Sequence, residues 1–229
     1  MNVFDKRYWI SLSLFFLWSC QTEREEPTVV DMDYYPLETG KFWVYEVNET
    51  IYFGEGDYEE IHYFYRDEIT ELYINEAGES VYIVNRQRSE DRTEWTNKQV
   101  YALRVSDNRL IRLSDNLQEI ILVFPLRVNL EWDANGANSH APHVYTLDAE
   151  GPYVVKNRYF PSTVRVLHND EDDMITIRDI RYNIYAEGVG LVESYYEVFN
   201  YCTRNDCLGE QIIQNGRLTH LKLVSDGSI

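Results

Sequence analysis

FWVYEVNETIYFGEGDYEEIHYFYRDEITELYI, residues 42–74, decides the fold class. In 42–53, Trp43, Tyr45 and Val47 alternate with Val44, Glu46 and Asn48, the two-residue period of a strand with one face turned to a core. Gly54-Glu55-Gly56-Asp57 supplies a turn, and 58–74 resumes the alternation with Ile61, Tyr63 and Tyr65 in register. Two long strands joined by a tight turn predict an antiparallel hairpin.

The pattern continues outward from this hairpin. Asn75-Glu76-Ala77-Gly78 turns into 80–88, and further strands are expected at 94–105, 109–113, 119–124, 144–147, 154–160, 163–167, 174–186, 191–201, 210–214 and 217–224. Asn215-Gly216 between the last two is a type I′ hairpin signal. No segment holds a helical period over three turns. The 19 Tyr residues suit strands whose rings pack on one side while the hydroxyls reach water. The expected architecture is all-β: a single antiparallel meander of roughly a dozen strands over residues 34–229, curled into a barrel or folded as a sandwich. One long irregular stretch, 132–142, is a candidate functional loop or a plain excursion between halves. An internal echo accompanies it. Tyr35-Pro36-Leu37 and Phe124-Pro125-Leu126 each precede a Trp, Trp43 and Trp132, by the same interval.

The N-terminus carries an address. Lys6 and Arg7 precede an apolar-aromatic run, 8–18, that spans roughly 16 Å at ~1.5 Å per residue, half of a ~30 Å hydrocarbon core. A cleaved signal over 1–19 fits better than a membrane-spanning helix. Leu17-Trp18-Ser19-Cys20 resembles a bacterial lipobox, which implies cleavage before Cys20 and attachment of lipid, palmitate included, to its sulfur. An ordinary secretory signal cut near Ser19, with Cys20 left as a thiol, is the alternative. Several acyl chains at about 0.8 kcal/mol per buried methylene anchor a protein permanently. Gln21, in place of the Asp that retains enterobacterial lipoproteins in the inner membrane, resembles an outer-membrane address. Glu23, Glu25 and Glu26 resemble the surface-export signal of Bacteroidota lipoproteins. Residues 20–33 read as the acylated Cys and a flexible acidic tether.

The net charge of −18 repels phosphate backbones, so nucleic acid is excluded as a partner. With Cys20 lipidated, Cys202 and Cys207 are the one remaining pair in an oxidising compartment. Thr203-Arg204-Asn205-Asp206 between them forms turns readily, and a structural disulfide is expected, worth roughly 2 kcal/mol for so short a ring. Two cysteines make a poor zinc site, and a redox pair is more often Cys-x-x-Cys.

Candidate chemistry is sparse. His140 and His143 lie in the long loop, with Asp133 and His168 as conceivable partners, but His-x-x-His across a Pro is not a metal spacing. Asn169-Asp170-Glu171-Asp172-Asp173 lacks the order of a calcium loop and reads as a solvated hairpin tip. His62 and His220 fall in expected strands without a motif. No Gly-x-Ser-x-Gly, Ser-x-x-Lys or His-Glu-x-x-His occurs. No catalytic residue, metal or cofactor is therefore assigned.

Three segments resemble a family of uncharacterised β-rich lipoproteins of Bacteroidota. They are 35–45 (YPLETGKFWVY), Phe124-Pro125-Leu126 with Trp132-Asp133, and Tyr185-Ala186-Glu187-Gly188-Val189-Gly190-Leu191-Val192. In the last, two glycines permit a bend between long strands. The resemblance implies an exported lipoprotein with one β domain and a Cys pair before the last strands, and carries over no catalytic residue. The expectation is an outer-membrane lipoprotein, facing periplasm or cell surface, acting as a non-catalytic binding or envelope-accessory module. Its partners are the membrane, through Cys20, and an envelope protein, peptide or glycan. The alternatives are a glycan hydrolase using two carboxylates, drawn from 39 acidic residues, and a carrier of an apolar ligand in a half-open barrel.

Overall fold

The structure, a computed structural model, describes residues 31–229; the signal, Cys20 and most of the acidic tether lie outside the described residues. Twelve strands follow a short 3-10 turn at Met32–Tyr34. They are β1 (Lys41–Gly54), β2 (Asp57–Ile74), β3 (Ser80–Ser89), β4 (Thr96–Ser106), β5 (Arg109–Ser114) and β6 (Leu117–Val123), then β7 (Leu130–Asp133), β8 (Val144–Val155), β9 (Arg158–Asp172), β10 (Ile177–Ala186), β11 (Gly190–Tyr201) and β12 (Ile213–Ser228). Every pairing is antiparallel. All but one join consecutive strands, and the exception pairs β1 with β12, from Lys41↔Ser228 to Tyr52↔Gly216.

The result is the expected meander, curled into a nearly closed barrel. The free edges are β6 and β7, and the 132–142 stretch joins them. Ile120 N donates to Ala134 O at 2.9 Å, Trp132 Nε1 donates to Ile120 O at 2.8 Å, and Asn138 Nδ2 donates to Gln118 O at 2.6 Å. This loop is thus the seam of the barrel. The aromatic-Pro-Leu echo falls just ahead of β1 and β7, the first strands of two six-strand runs.

Alternation sets what the barrel contains. Trp43, Tyr45 and Val47 of β1 are buried, opposite Asp67, Tyr65 and Tyr63 of β2. One end is apolar: Ile69, Val84, Leu103, Leu110, Leu122, Leu147, Val164 and Val166 fill it. The first and third of the segments that resemble the lipoprotein family meet here. Trp43 Nε1 donates to Val189 O at 2.5 Å, and Tyr35 packs on Trp43 and Tyr185 with ring centroids 5.6 and 6.0 Å apart. Gly188 N donates to Asp33 O at 2.8 Å, and Leu126 N donates to Asp31 Oδ2 at 2.9 Å. Residues 31–33 therefore belong to the fold, although the sequence reads them as the end of the tether. Their backbone groups find partners that composition does not show.

The hairpin of β8 and β9 bends at bulges after Leu147 and Gly151 and reaches across the sheet. Lys156 meets Glu46, Arg158 meets Asp226, and Val155 and Phe160 are buried. Lys156, at φ 54°, lies in the turn between these strands, which corrects the strand expected at 154–160. Likewise 210–212 belongs to the loop after the disulfide, and the strand expected from 174 begins at Ile177.

Asn215-Gly216 is the larger correction. No hairpin forms there, and β12 runs straight through it. Gly216 sits between Tyr52 of β1 and Phe199 of β11, whose rings pack edge-on at 4.9 Å. A Cβ at this position would lie 2.4 Å from Val198 O and 2.7 Å from Phe199 Cα. The glycine is there because backbone and rings close over it, and two paired neighbour strands outweigh a local turn preference. Gly216→Ala is expected to destabilise the barrel by about 1–3 kcal/mol, as overpacking does. A urea midpoint unchanged from that of the unsubstituted protein would refute this account.

Candidate functional site

The end of the barrel opposite the apolar plug is not filled. A cavity of about 270 Å3 opens there. Its walls include Asp67, Arg86, Tyr101, Arg112, Glu119, Tyr145, His168, Arg181, Asn183 and Ser194, with Tyr35 and Tyr185 toward the plug. Each charged residue arrives by strand alternation. Asp67 continues the core-facing series of Tyr63 and Tyr65, Arg86 is its partner on β3, and Arg112 of β5 is directly opposed to Glu119 of β6.

Asp67 and Arg86 form the deepest ion pair. Arg86 Nε and Nη2 each donate to the carboxylate at 2.6 Å, Tyr101 Oη donates to Asp67 Oδ2 at 2.9 Å, and Asp67 is 2% exposed. The guanidinium lies over the rings of Tyr65 and Tyr101. Burial works against its charge, but the field and hydrogen bonds of Asp67 outweigh that and raise the Arg86 pKa well above its ordinary value. Burial also pushes the Tyr101 and Tyr45 phenols well up, and Tyr35 to about 12, with the Asp67 charge adding to each. These hydroxyls are neutral donors and acceptors across the physiological range.

On the opposite wall Tyr145 Oη donates to Glu119 Oε1 at 2.5 Å, and the Tyr145 ring stacks on His168 with centroids 3.9 Å apart. His143 Nε2 lies 3.1 Å from His168 O, and Arg181 holds Asp179 through two bonds at 2.6 and 2.8 Å. Burial, then the charges of Arg181 and His143, pushes His168 down to about 3, with Asp179 opposing them. The imidazole is therefore neutral at any ordinary pH.

Arg112 differs from its neighbours. It lies over the Tyr101 ring at 4.3 Å, and its buried Nε has no hydrogen-bond partner among the described residues.

Of the residues singled out from the sequence, His168 lines the cavity, and the others described below fall elsewhere or take structural roles. Cys202 and Cys207 are joined as a disulfide, Cα–Cα 5.8 Å, across a short loop at the cavity end of the barrel. Asp133 Oδ1 accepts from the backbone N of Asn135 and of His143, so it shapes the seam. His143 and His168 do come together, yet among the described residues no three His, Cys, Asp or Glu side chains converge as a metal site. Asp173 accepts from the backbone N of Ile175, Thr176 and Ile177, which makes the acidic run a capped hairpin tip. His62 contacts Asn48 at 3.0 Å. His220 contacts Glu193 at 3.0 Å, on the outer side of the sheet, where Tyr153 and Tyr182 also donate to Glu193.

Sequence reading missed Asp67, Arg86, Arg112 and Glu119. The signal for Asp67 was present, since it falls two residues after Tyr65 on the core-facing period. The cavity also bears on the two alternatives. It is small and charged, unlike the apolar chamber that carriage of an apolar ligand needs. Of its two carboxylates, Asp67 has both oxygens committed to Arg86 and Tyr101, which leaves little capacity for acid or nucleophile chemistry.

No protein-family model matches the chain, and no curated protein matches it. Among solved structures it is similar to a proposed exported protein with a YmcC-like fold from Bacteroides fragilis NCTC 9343. The identity is 12% and the TM-score 0.48, over 84% of this chain and 98% of that one. It is also similar to a proposed lipoprotein from Parabacteroides distasonis ATCC 8503, at 10% identity and TM-score 0.42, over 85% of this chain and 98% of that one.

Two outcomes follow from the site's electrostatics. Asp67→Asn leaves the Arg86 charge buried without its counterion and is expected to cost about 3–5 kcal/mol, whereas the double variant Asp67→Leu/Arg86→Met costs less than either single change. Chemical denaturation of Asp67→Asn, Asp67→Leu, Arg86→Met and the double variant measures this, and additive losses in the last three would contradict it. His168 has its folded pKa at about 3, below the ~6.5 of the unfolded chain, so only the unfolded state takes up a proton between these values. Stability from this residue is complete above about pH 6.5 and falls as pH drops toward 3. His168→Gln should flatten that part of the stability profile; an unchanged profile would show that the imidazole is not held neutral.

Proposed function

We propose that this protein is an outer-membrane lipoprotein, anchored through acyl chains on Cys20, whose barrel is a non-catalytic binding module for a small polar ligand. The observation that carries the reading is the division of the barrel interior. One half is packed with aliphatic and aromatic side chains, and the other is left open and lined with guanidinium, carboxylate, phenol, amide and hydroxyl groups. A core built for stability alone has no need of a charged cavity, because unpaired polar groups in an interior cost free energy. Convergent polar groups around a concavity are the usual form of a ligand site. At about 270 Å3 the volume lies just under the ~300–1,000 Å3 of clefts for drug-sized molecules, so the ligand is small.

Asp31, from which the chain leads back to Cys20, sits at the plugged end beside Leu126. A tether leaving from that end directs the mouth of the cavity away from the bilayer, toward solutes of the periplasm or the exterior. The Leu17-Trp18-Ser19-Cys20 motif supports the lipid, and Gln21 supports the outer membrane.

Intact-mass measurement of the membrane-extracted protein is expected to show a chain beginning at Cys20 with a lipid adduct, and Cys20→Ser should release the protein from the membrane fraction. An unmodified Cys20 would overturn the anchoring. For binding, thermal unfolding of the purified full chain would be followed with sugars, sugar acids, amino acids and short glycans. A ligand present at one hundred times its Kd should add about 2.7 kcal/mol of stability. Ser194→Leu, which fills the cavity, should abolish the gain. If no solute in the panel stabilises the protein, the binding reading fails.

A further inference from the structure

Resting on the binding reading, we propose that the cavity takes a small sugar acid, its carboxylate held by Arg112 and an adjacent hydroxyl held by Glu119. Three positively charged side chains line the cavity, and two are spent. Arg86 is neutralised by Asp67, and Arg181 by Asp179. Arg112 has no ion-pair partner within 4.0 Å among the described residues, and its Nε donor is buried with no acceptor. A buried donor left unpaired in a folded protein points to a water or ligand that completes it. A guanidinium best accepts a planar, bidentate carboxylate.

The residue that ought to satisfy Arg112 is held off. Glu119 is its direct cross-strand partner, a position where Cβ atoms lie ~4.5–5.5 Å apart and opposite charges ordinarily join. Instead Glu119 Oε1 takes the Tyr145 hydroxyl, with Tyr145 fixed in turn by its stack on His168. An open pair of this kind presents a cation and an acceptor side by side. A bare carboxylate seated on Arg112 meets repulsion from Glu119. A carboxylate with a neighbouring hydroxyl satisfies both, donating to Glu119 while accepting from Arg112.

The remaining walls favour a polyol over an amino acid. Asn183, Ser194 and the neutral phenol of Tyr35 both donate and accept, as sugar hydroxyls require, while Tyr101, whose proton goes to Asp67, can only accept. Asp67 has no acceptor capacity to spare, so an ammonium could meet only Glu119, and an amino acid held that way would leave the hydroxyl and amide groups of Asn183, Ser194 and Tyr35 without partners. The tyrosine rings supply flat apolar faces for the C–H side of a pyranose.

Calorimetric titration of the full chain in detergent with D-glucuronate and D-galacturonate, each against its neutral parent hexose, isolates the carboxylate. The uronates are expected to bind about ten-fold tighter or better, the worth of one charge-assisted contact. Folded Arg112→Gln should erase the difference, and Arg112→Lys should keep part of it. Where Arg112→Gln does not fold, Glu119→Gln serves. It should narrow the preference for uronates over cyclohexanecarboxylate, which has the acid but no hydroxyl. Neutral hexoses binding as well as uronates, amino acids binding better, or a difference that survives in Arg112→Gln would each overturn the sugar acid while leaving the binding module standing. Failure of every solute to bind would remove both.

Discussion

The pairing of β1 with β12 is the constraint on which the rest depends. Every other strand contact joins neighbours in the chain and could form in an open, drifting meander. This one joins residues at the two ends of the fold over a register from Lys41↔Ser228 to Tyr52↔Gly216, and so turns two six-strand runs into one wall. With those runs joined in the middle of the sheet, curvature brings β6 and β7 together. The 132–142 stretch then needs few bonds to seal them. Gly216 belongs to the same constraint, because a side chain there would push apart the strands that must meet. The loop-closure entropy of so distant a pairing is set against the burial of Trp43, Tyr45, Val47, Leu221 and Leu223 along it.

Much of this was legible in the sequence for a simple reason. A strand with one buried face writes its orientation into alternate residues, and 42–74 does so almost without interruption. The meander follows from local patterns of that kind, and the disulfide from the cysteine count. The misreadings share one cause. Asn215-Gly216 is a turn by its own chemistry, and the residues around Lys156 read as a strand by theirs. Each was decided by partners far along the chain, Tyr52 and Phe199 in one case and the bulged β8–β9 hairpin in the other.

The candidate site was legible only in fragments, and the fragments were charges on the wrong face. In an acidic chain an Asp or Arg is ordinarily taken as solvated surface, so Asp67, Arg86, Arg112 and Glu119 attract no notice one at a time. Phase distinguishes them. Asp67 keeps step with Tyr63 and Tyr65, and its cross-strand neighbour can then only be inside as well. Register is not written in the sequence, and without it Arg112 and Glu119 are two residues in different strands, not a facing pair.

The polar half of the interior also explains the aromatic composition. A guanidinium in a narrow barrel loses most of its water, and a carboxylate partner recovers that loss only if further hydrogen bonds complete the geometry. Tyrosine suits this setting better than other residues, because one ring face stabilises a cation while the hydroxyl bonds an anion. Tyr101 does both, lying beneath Arg86 and Arg112 and donating to Asp67, and Tyr145 divides the work with His168. The plugged end needs no such arrangement. Its close packing sets the spacing of the strands that carry the charges. For the ligand proposed above, walls spaced by a packed core limit the entropy lost on binding, which favours a small solute over the remodelling that a large partner would demand.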